Sequence, residues 1–357
     1  MRDLYPPRVS KRTRIGLFVG LFIIAALIFA AMRSREPAYE GKKLSEWLRI
    51  LTPDPEKTSK QRDREHAEFA IQQMGTNTLP ILLKTLYSKE SSFKSRFKDT
   101  LEHDQKILKI RFLPSDWNYI RAVNALFVLG PIAKSTIPDL NRILADPEMA
   151  RYGAYALSSV ARNEPKYLAN AAEHQDEDVR STFLYGLSEM GTNSEPLLPI
   201  IIPRLKDKSS RVRSRAASTL GRVASNQFSL AVPLLIEALG ETNHMAMVAL
   251  GKFGSNATPA VPILKTFLHD EAGATFAGGA LTHILGQNSI PLLSEALTNE
   301  INPEIQWRLL ECLGSLKEKG KSAIPIVKNY VDSDGRMVRS KALEALKQID
   351  PTAAKKP

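Results

Sequence analysis

Residues 176–205 read DEDVRSTFLYGLSEMGTNSEPLLPIIIPRL. An acidic turn, Asp176-Glu177-Asp178, precedes Val179-Arg180, and a small residue, Gly186, is followed by a large aliphatic, Leu187. Gly191 comes next, and Pro199, Ile202 and Leu205 then follow at helical spacing. Carboxylates suit a helix N-terminus. Glycine suits the left-handed conformation at a helix C-terminus. Proline is favoured at the first helical position, where its missing N–H would be unpaired anyway. The stretch therefore predicts helix, turn, helix, with nothing alternating at period two.

The same unit recurs in both directions. Small-large pairs fall at Ala70-Ile71, Ala125-Leu126, Ala156-Leu157, Gly186-Leu187, Thr219-Leu220, Ala249-Leu250, Ala280-Leu281, Cys312-Leu313 and Ala345-Leu346. Their spacings are 55, 31, 30, 33, 30, 31, 32 and 33 residues. A fixed period of this size marks stacked supersecondary units. Gly75, Gly130 and Gly254 repeat the role of Gly191, and Pro80, Pro138, Pro233, Pro262, Pro291 and Pro325 that of Pro199. Val212-Arg213 after Asp207, and Val338-Arg339 after Asp332-Ser333-Asp334, repeat the acidic turn. The small residue lets helices of adjacent repeats approach closely. Cys312, the single cysteine, stands in that column as a small buried residue and excludes an internal disulfide framework.

As a set, the Ala-Leu, Gly, Pro and Asp…Val-Arg positions resemble HEAT repeats of the short-period bacterial type, also described as phycobilin-lyase-like. The resemblance covers about residues 65–350. It implies an all-α fold: a right-handed α-solenoid (superhelix) of HEAT-like helix-turn-helix repeats. Residues 39–48, YEGKKLSEWL, and the closing 345–351, ALKQIDP, are similar to membrane-anchored HEAT proteins of environmental bacteria. The enzymes that share the repeat, phycobilin lyases and deoxyhypusine hydroxylase, supply the alternative reading of a lyase- or hydroxylase-like activity.

Two segments depart from the period. The long first interval holds an insertion, about 88–118, with Phe93, Phe97, Leu101, Ile107, Leu108, Ile110 and Phe112 apolar enough for a packed helix. Ahead of the array, Leu44, Trp47, Leu48 and Leu51 at i, i+3, i+4 and i+7 predict a capping helix.

Before these lies an uncharged stretch, 15–32, IGLFVGLFIIAALIFAAM. A helix of that length reaches about 27 Å, enough to span a bilayer core. It is expected to be a transmembrane helix or signal anchor. A cleaved signal peptide is the other possibility, although no clean A-x-A site occurs. Arg2, Arg8, Lys11, Arg12 and Arg14 favour a cytoplasmic N-terminus and an extracytoplasmic array in a single-pass inner (cytoplasmic) membrane protein. Arg33, Arg35, Lys42 and Lys43 on the far side oppose that orientation. The expected organisation is a basic tail 1–14, the anchor 15–32, linker and capping helix 33–60, the array 61–350 and a tail 351–357.

The anchor also bears on the net charge of +11. Residues 1–120 hold 22 Lys+Arg against 14 Asp+Glu, whereas 121–357 hold 27 against 24. The surplus is concentrated toward the membrane segment, so the repeats do not carry a general nucleic-acid footprint.

Motifs for chemistry fail on spacing. Gly320-Lys321-Ser322 matches the end of a phosphate loop, but the first glycine is misplaced and no strand precedes it. Gly186 to Gly191 does not keep the spacing of a nucleophile elbow. The six histidines are scattered singly, and no His-Glu dipeptide occurs. No catalytic, cofactor or metal residue is assigned. One cluster stands out: Arg204, Lys206, Lys208, Arg211 and Arg215, with Arg213 and Arg222, against the lone Asp207. It is a candidate patch for an anionic partner, weighed against a solvated turn. The expected function is a non-enzymatic, membrane-tethered scaffold. It would present the inner faces of its second helices as a groove, on the order of 80 Å long, for protein or peptide partners.

Overall fold

The computed structural model describes residues 36–54, 57–87, 117–241 and 243–352. The chain divides into two compact units, 1–81 and 82–357. The basic tail 1–14, the apolar segment 15–32, residues 88–116 of the expected insertion and residues 353–357 lie outside the described residues.

In the first unit, Ala38–Tyr39 (β1) and Lys42–Lys43 (β2) pair antiparallel, Ala38 opposite Lys43 and Tyr39 opposite Lys42. The two turn residues, Glu40 and Gly41, have φ of 47° and 77°, the positive values that a tight hairpin turn of this hand requires. The sequence reading had this stretch as linker, because two-residue strands are too short for any periodicity to register. Helix α1 (Leu44–Leu51) buries Leu44, Trp47 and Leu51, as its spacing predicts. The Trp47 indole N–H donates to the Tyr39 carbonyl at 3.2 Å, and Lys42 Nζ sits 4.6 Å from the centre of the Trp47 ring. Helix α2 (Gln61–Met74) packs on α1, so the capping helix covers the first helix of the first repeat. Helix α3 (Leu79–Tyr87) follows.

The second unit alternates two sets of helices. In chain order they are α4 (Trp117–Leu129), α5 (Ile137–Leu144), α6 (Ala150–Val160), α7 (Ala169–Ala172) and α8 (Glu177–Glu189). Next come α9 (Leu198–Ile201), α10 (Ser210–Val223), α11 (Phe228–Ala238), α12 (His244–Lys252) and α13 (Val261–Thr266). The series ends with α14 (Ala274–Leu285), α15 (Ile290–Asn299), α16 (Pro303–Ser315), α17 (Ile324–Lys328) and α18 (Arg336–Ile349). Every even helix from α4 to α18 carries a small-large pair and packs directly on the next even helix. The odd helices pack mainly on even ones. The unit is an all-α solenoid with a hydrophobic layer, rich in Ala and Leu, between the two sets.

Glycines make the even layer tight. A Cβ added to Gly221 would lie 2.7 Å from Ala249 Cβ, and one added to Gly314 would lie 2.9 Å from Ala345 Cα. The small column therefore does the spacing work expected of it. Cys312 is buried within it, and burial pushes its thiol up to about 12, so it is protonated and inert at neutral pH.

The helix ends follow the sequence signals with corrections. Gly75, Gly130, Gly191 and Gly254 adopt φ of 53–55°, positive values that glycine takes without strain, although ψ of −137° at Gly75 departs from the αL cap that the sequence signals predict. Lys317 fills the equivalent position after α16 with φ 51°. The prolines sit one residue later than expected: Pro80, Pro138, Pro199, Pro262, Pro291 and Pro325 each follow the first residue of their helix, where the N–H is still unpaired. Pro233 lies inside α11, because that repeat ends at Ala224 without a left-handed glycine and its second helix starts early. Residues 198–206, whose spacing reads as one helix, break into α9 and a 3₁₀ turn over Ile202–Lys206. Pro203 lacks the N–H that would continue the α pattern.

One described stretch, 117–144, is long and apolar enough to cross a membrane. It consists of α4 and α5 joined by a 3₁₀ segment opening at Gly130, and 56% of its apolar window is buried in the protein.

Candidate functional site

The acidic turns and Val-Arg positions build the junctions between repeats. Arg180 and Asp207 form a doubly hydrogen-bonded pair, Nε to Oδ2 at 2.9 Å and Nη2 to Oδ1 at 2.7 Å. Their side chains are 4% and 5% exposed. Arg180 Nη1 also donates to the carbonyls of His174 and Gln175, and the Ser209 backbone N–H donates to Asp207. Burial alone would raise the Asp207 pKa, but these hydrogen bonds and the charges of Arg180 and Arg204 together hold it below the usual carboxylate value. Arg213 and Arg339 likewise donate to carbonyls of the turns preceding them. This arginine role is structural.

The five residues of the expected anionic patch disperse. Arg204 donates to the Ala172 carbonyl at 3.0 Å and lies 3.9 Å from both Glu173 and Asp207. Lys206 pairs with Glu237 at 2.7 Å, and that hydrogen bond and charge raise its pKa. Arg211 pairs with Asp178, and Arg222 with Glu189 at 3.2 Å. Lys208 is exposed. Arg215 points elsewhere, its guanidinium 5.2 Å from the centre of the Tyr185 ring. A run of basic residues is visible in one dimension. Apart from Asp207 beside Arg204, the carboxylates that answer it come from neighbouring repeats, 31 to 33 residues away.

A cavity of about 800 Å³ opens between the 3₁₀ turn Ile202–Lys206 and α11, walled by Ile202, Leu205, Leu234 and Ala238 with the Lys206–Glu237 pair on its lining. A smaller recess of about 250 Å³ lies between α12 and α14, lined by Val248, Gly251, Lys252, Phe276, Gly279 and His283. Among the described residues, no group of three or more His, Cys, Asp or Glu side chains could hold a metal ion.

The outward face of the even helices is the more continuous surface. Phe127 on α4 stacks on Tyr155 of α6 with centroids 4.6 Å apart and planes 12° from parallel. Tyr155 stacks on Tyr185 of α8 at 5.9 Å and 21°, and Arg215 of α10 completes the row. Farther along, His244 of α12 stacks on Phe276 of α14 at 4.9 Å and 8°. Tyr185 is 40% exposed. On the second helices, where the sequence places the groove, α7 and α9 are four residues each, with the 3₁₀ turn Ile202–Lys206 continuing α9. The small-residue packing that was read as core spacing is what aligns these aromatics. Their signal in the sequence is an aromatic one residue before the small position in two successive repeats, Tyr155 and Tyr185.

Residues 164–245 match the family model described as HEAT repeats. No curated protein matches the chain. Among solved structures, the chain is similar to the karyopherin Kap95p crystallised with RanGDP, at 12% identity and a TM-score of 0.48 over 97% of this chain and 48% of that one. It is similar to importin beta at 12% identity and a TM-score of 0.46, over 86% and 44%. A third is human deoxyhypusine hydroxylase, at 15% identity and a TM-score of 0.27, over 86% and 96%. The chain thus spans about half or less of the karyopherins, and similarity at this level carries no information on what it binds. Residues 164–245 thus match HEAT repeats, and the same helix-turn-helix unit continues on either side of them.

Proposed function

We propose that this chain is a non-enzymatic, membrane-tethered scaffold whose repeat array binds protein or peptide partners along its even helices. The observation that carries the reading is the stacked row Phe127–Tyr155–Tyr185–Arg215. Half-buried Phe127 and Tyr155 and exposed Tyr185, held at fixed spacing by a packed scaffold, offer contact area at low conformational cost, the usual chemistry of interaction hot spots. Tethering rests on the uncharged stretch 15–32 and its basic flanks, with the N-terminus in the cytoplasm and the array on the other side.

Site-specific photo-crosslinking in intact cells tests both parts. A benzophenone side chain at Ser218 on the even face is expected to capture discrete protein adducts, and the chain is expected to stay with the membrane pellet through an alkaline wash. Absence of adducts at every position sampled would remove the scaffold reading. Release by the wash would remove the tether.

A further inference from the structure

The charge on the even face is lopsided. Of the six even helices from α4 to α14, five contain no Asp or Glu at all: α4, α6, α10, α12 and α14. The exception, α8, holds Glu177, Asp178 and Glu189, and the last two pair with Arg211 and Arg222 of the next helix. Arg151, Arg215 and Lys252, with His244 and His283, lie among the aromatics on these helices. The odd layer is mixed by contrast, with exposed pairs such as Lys206–Glu237 and Lys265–Glu295.

The recess between α12 and α14 belongs to the same face. Val248 and Gly279 occupy the position one before the small residue, as Tyr155 and Tyr185 do. A Cβ built on Gly279 meets nothing within 4 Å, so the floor is open because glycine leaves it so. At about 250 Å³ the recess is smaller than the roughly 300–1,000 Å³ of small-molecule sites. It suits one aliphatic or aromatic side chain, with Lys252 at its edge to meet a carboxylate, while His283 Nδ1 is engaged by the Gly279 carbonyl at 2.7 Å.

From this geometry we infer that the even face is a docking strip for an extended acidic peptide, which seats one apolar side chain in the Gly251–Gly279 recess. The inference rests on the scaffold reading above. Charge complementarity selects the acidic partner, and the apolar recess selects the peptide. Duplex DNA carries a negative charge about every 1.7 Å, whereas these cations are distributed over helices spaced about 10 Å apart. The strip from α6 to α14 spans about 40 Å, or about twelve residues of extended chain.

The test pans a random peptide library, about twelve residues long, on the full chain in lipid nanodiscs. Enriched sequences are expected to be rich in Asp and Glu with an apolar residue between them. Their affinity is expected to fall at least about tenfold in Gly279→Leu, which fills the recess, and in the double variant Arg215→Glu, Lys252→Glu. High salt is expected to weaken binding as well. Lys252 is exposed, so Lys252→Glu alone keeps the test valid should Gly279→Leu not fold. A library without acidic enrichment overturns the inference, as do selected peptides that bind all variants equally or oligodeoxythymidine that outcompetes them. A second benzophenone at Leu230, on the odd layer, separates the two claims. Adducts at Leu230 with none at Ser218 leave a scaffold but sink this face, whereas adducts at neither sink both.

Discussion

The even and odd helices of the second unit face the same solvent, yet it is the even ones that each pack directly on the next of their own set. The even helices meet through glycine, alanine and serine, so backbones approach within van der Waals contact and each repeat fixes the next. Five odd helices of the second unit carry proline at their second residue, and one, α9, is cut short by a further one, Pro203. Close packing makes one side rigid enough to hold aromatic rings in register, while interruption leaves the other as a set of short segments. The side that carries the packing also carries the candidate interaction surface.

The largest test of this contrast removes the junction that anchors one even helix to the next repeat. Arg180→Ala leaves Asp207 as an uncompensated buried carboxylate and should lower unfolding free energy by about 3–5 kcal/mol, read by urea titration. The same pair sets a pH dependence. Because the folded Asp207 pKa is lowered, its contribution is full above the unfolded value of about 3.9 and is lost as pH falls through the folded one. Asp207→Asn should flatten that limb of the stability profile. A profile unchanged in Asp207→Asn would mean that the junction is not held by charge.

Next in size, Gly221→Leu forces a side chain against Ala249 and should cost about 1–3 kcal/mol, with thermal unfolding as the readout. Its counterpart on the outward face, Gly279→Ala, meets open space and should gain about 0.5–1 kcal/mol from helix propensity. If both substitutions cost the same, close approach is not what the small column provides. The smallest effect concerns the helix cap. Lys317 holds a left-handed φ of 51° where Gly75, Gly130, Gly191 and Gly254 stand in other repeats, and Lys317→Gly should stabilise by about 0.5–1 kcal/mol. Calorimetry that finds no gain would show that Lys317 side-chain contacts offset its backbone strain.

Much of the fold was legible because its signals are local. The glycine that ends a helix and the proline that opens one act within a single turn, and Leu44, Trp47 and Leu51 share a face by spacing alone. The misses are equally specific. The Ala38–Lys43 hairpin is too short to show a period, and Pro233 reads as a helix start although Ala224 had already let α11 begin five residues earlier. The candidate site was less legible. Arg204, Lys206, Lys208, Arg211 and Arg215 are neighbours in the chain, whereas the residues that decide their state, Asp178, Glu237 and Tyr185, belong to other repeats.

The sequence by itself therefore determined the repeat, its period, the small column and the buried role of Cys312, since each depends on residues within one helical turn or at a fixed recurrence. Only the tertiary structure decided which layer is continuous, which cations are matched by carboxylates, and that Phe127, Tyr155 and Tyr185 stack. Those outcomes depend on contacts about one repeat apart, where the approach of two backbones, set by residues such as Gly221 and Ala249, fixes which side chains can touch.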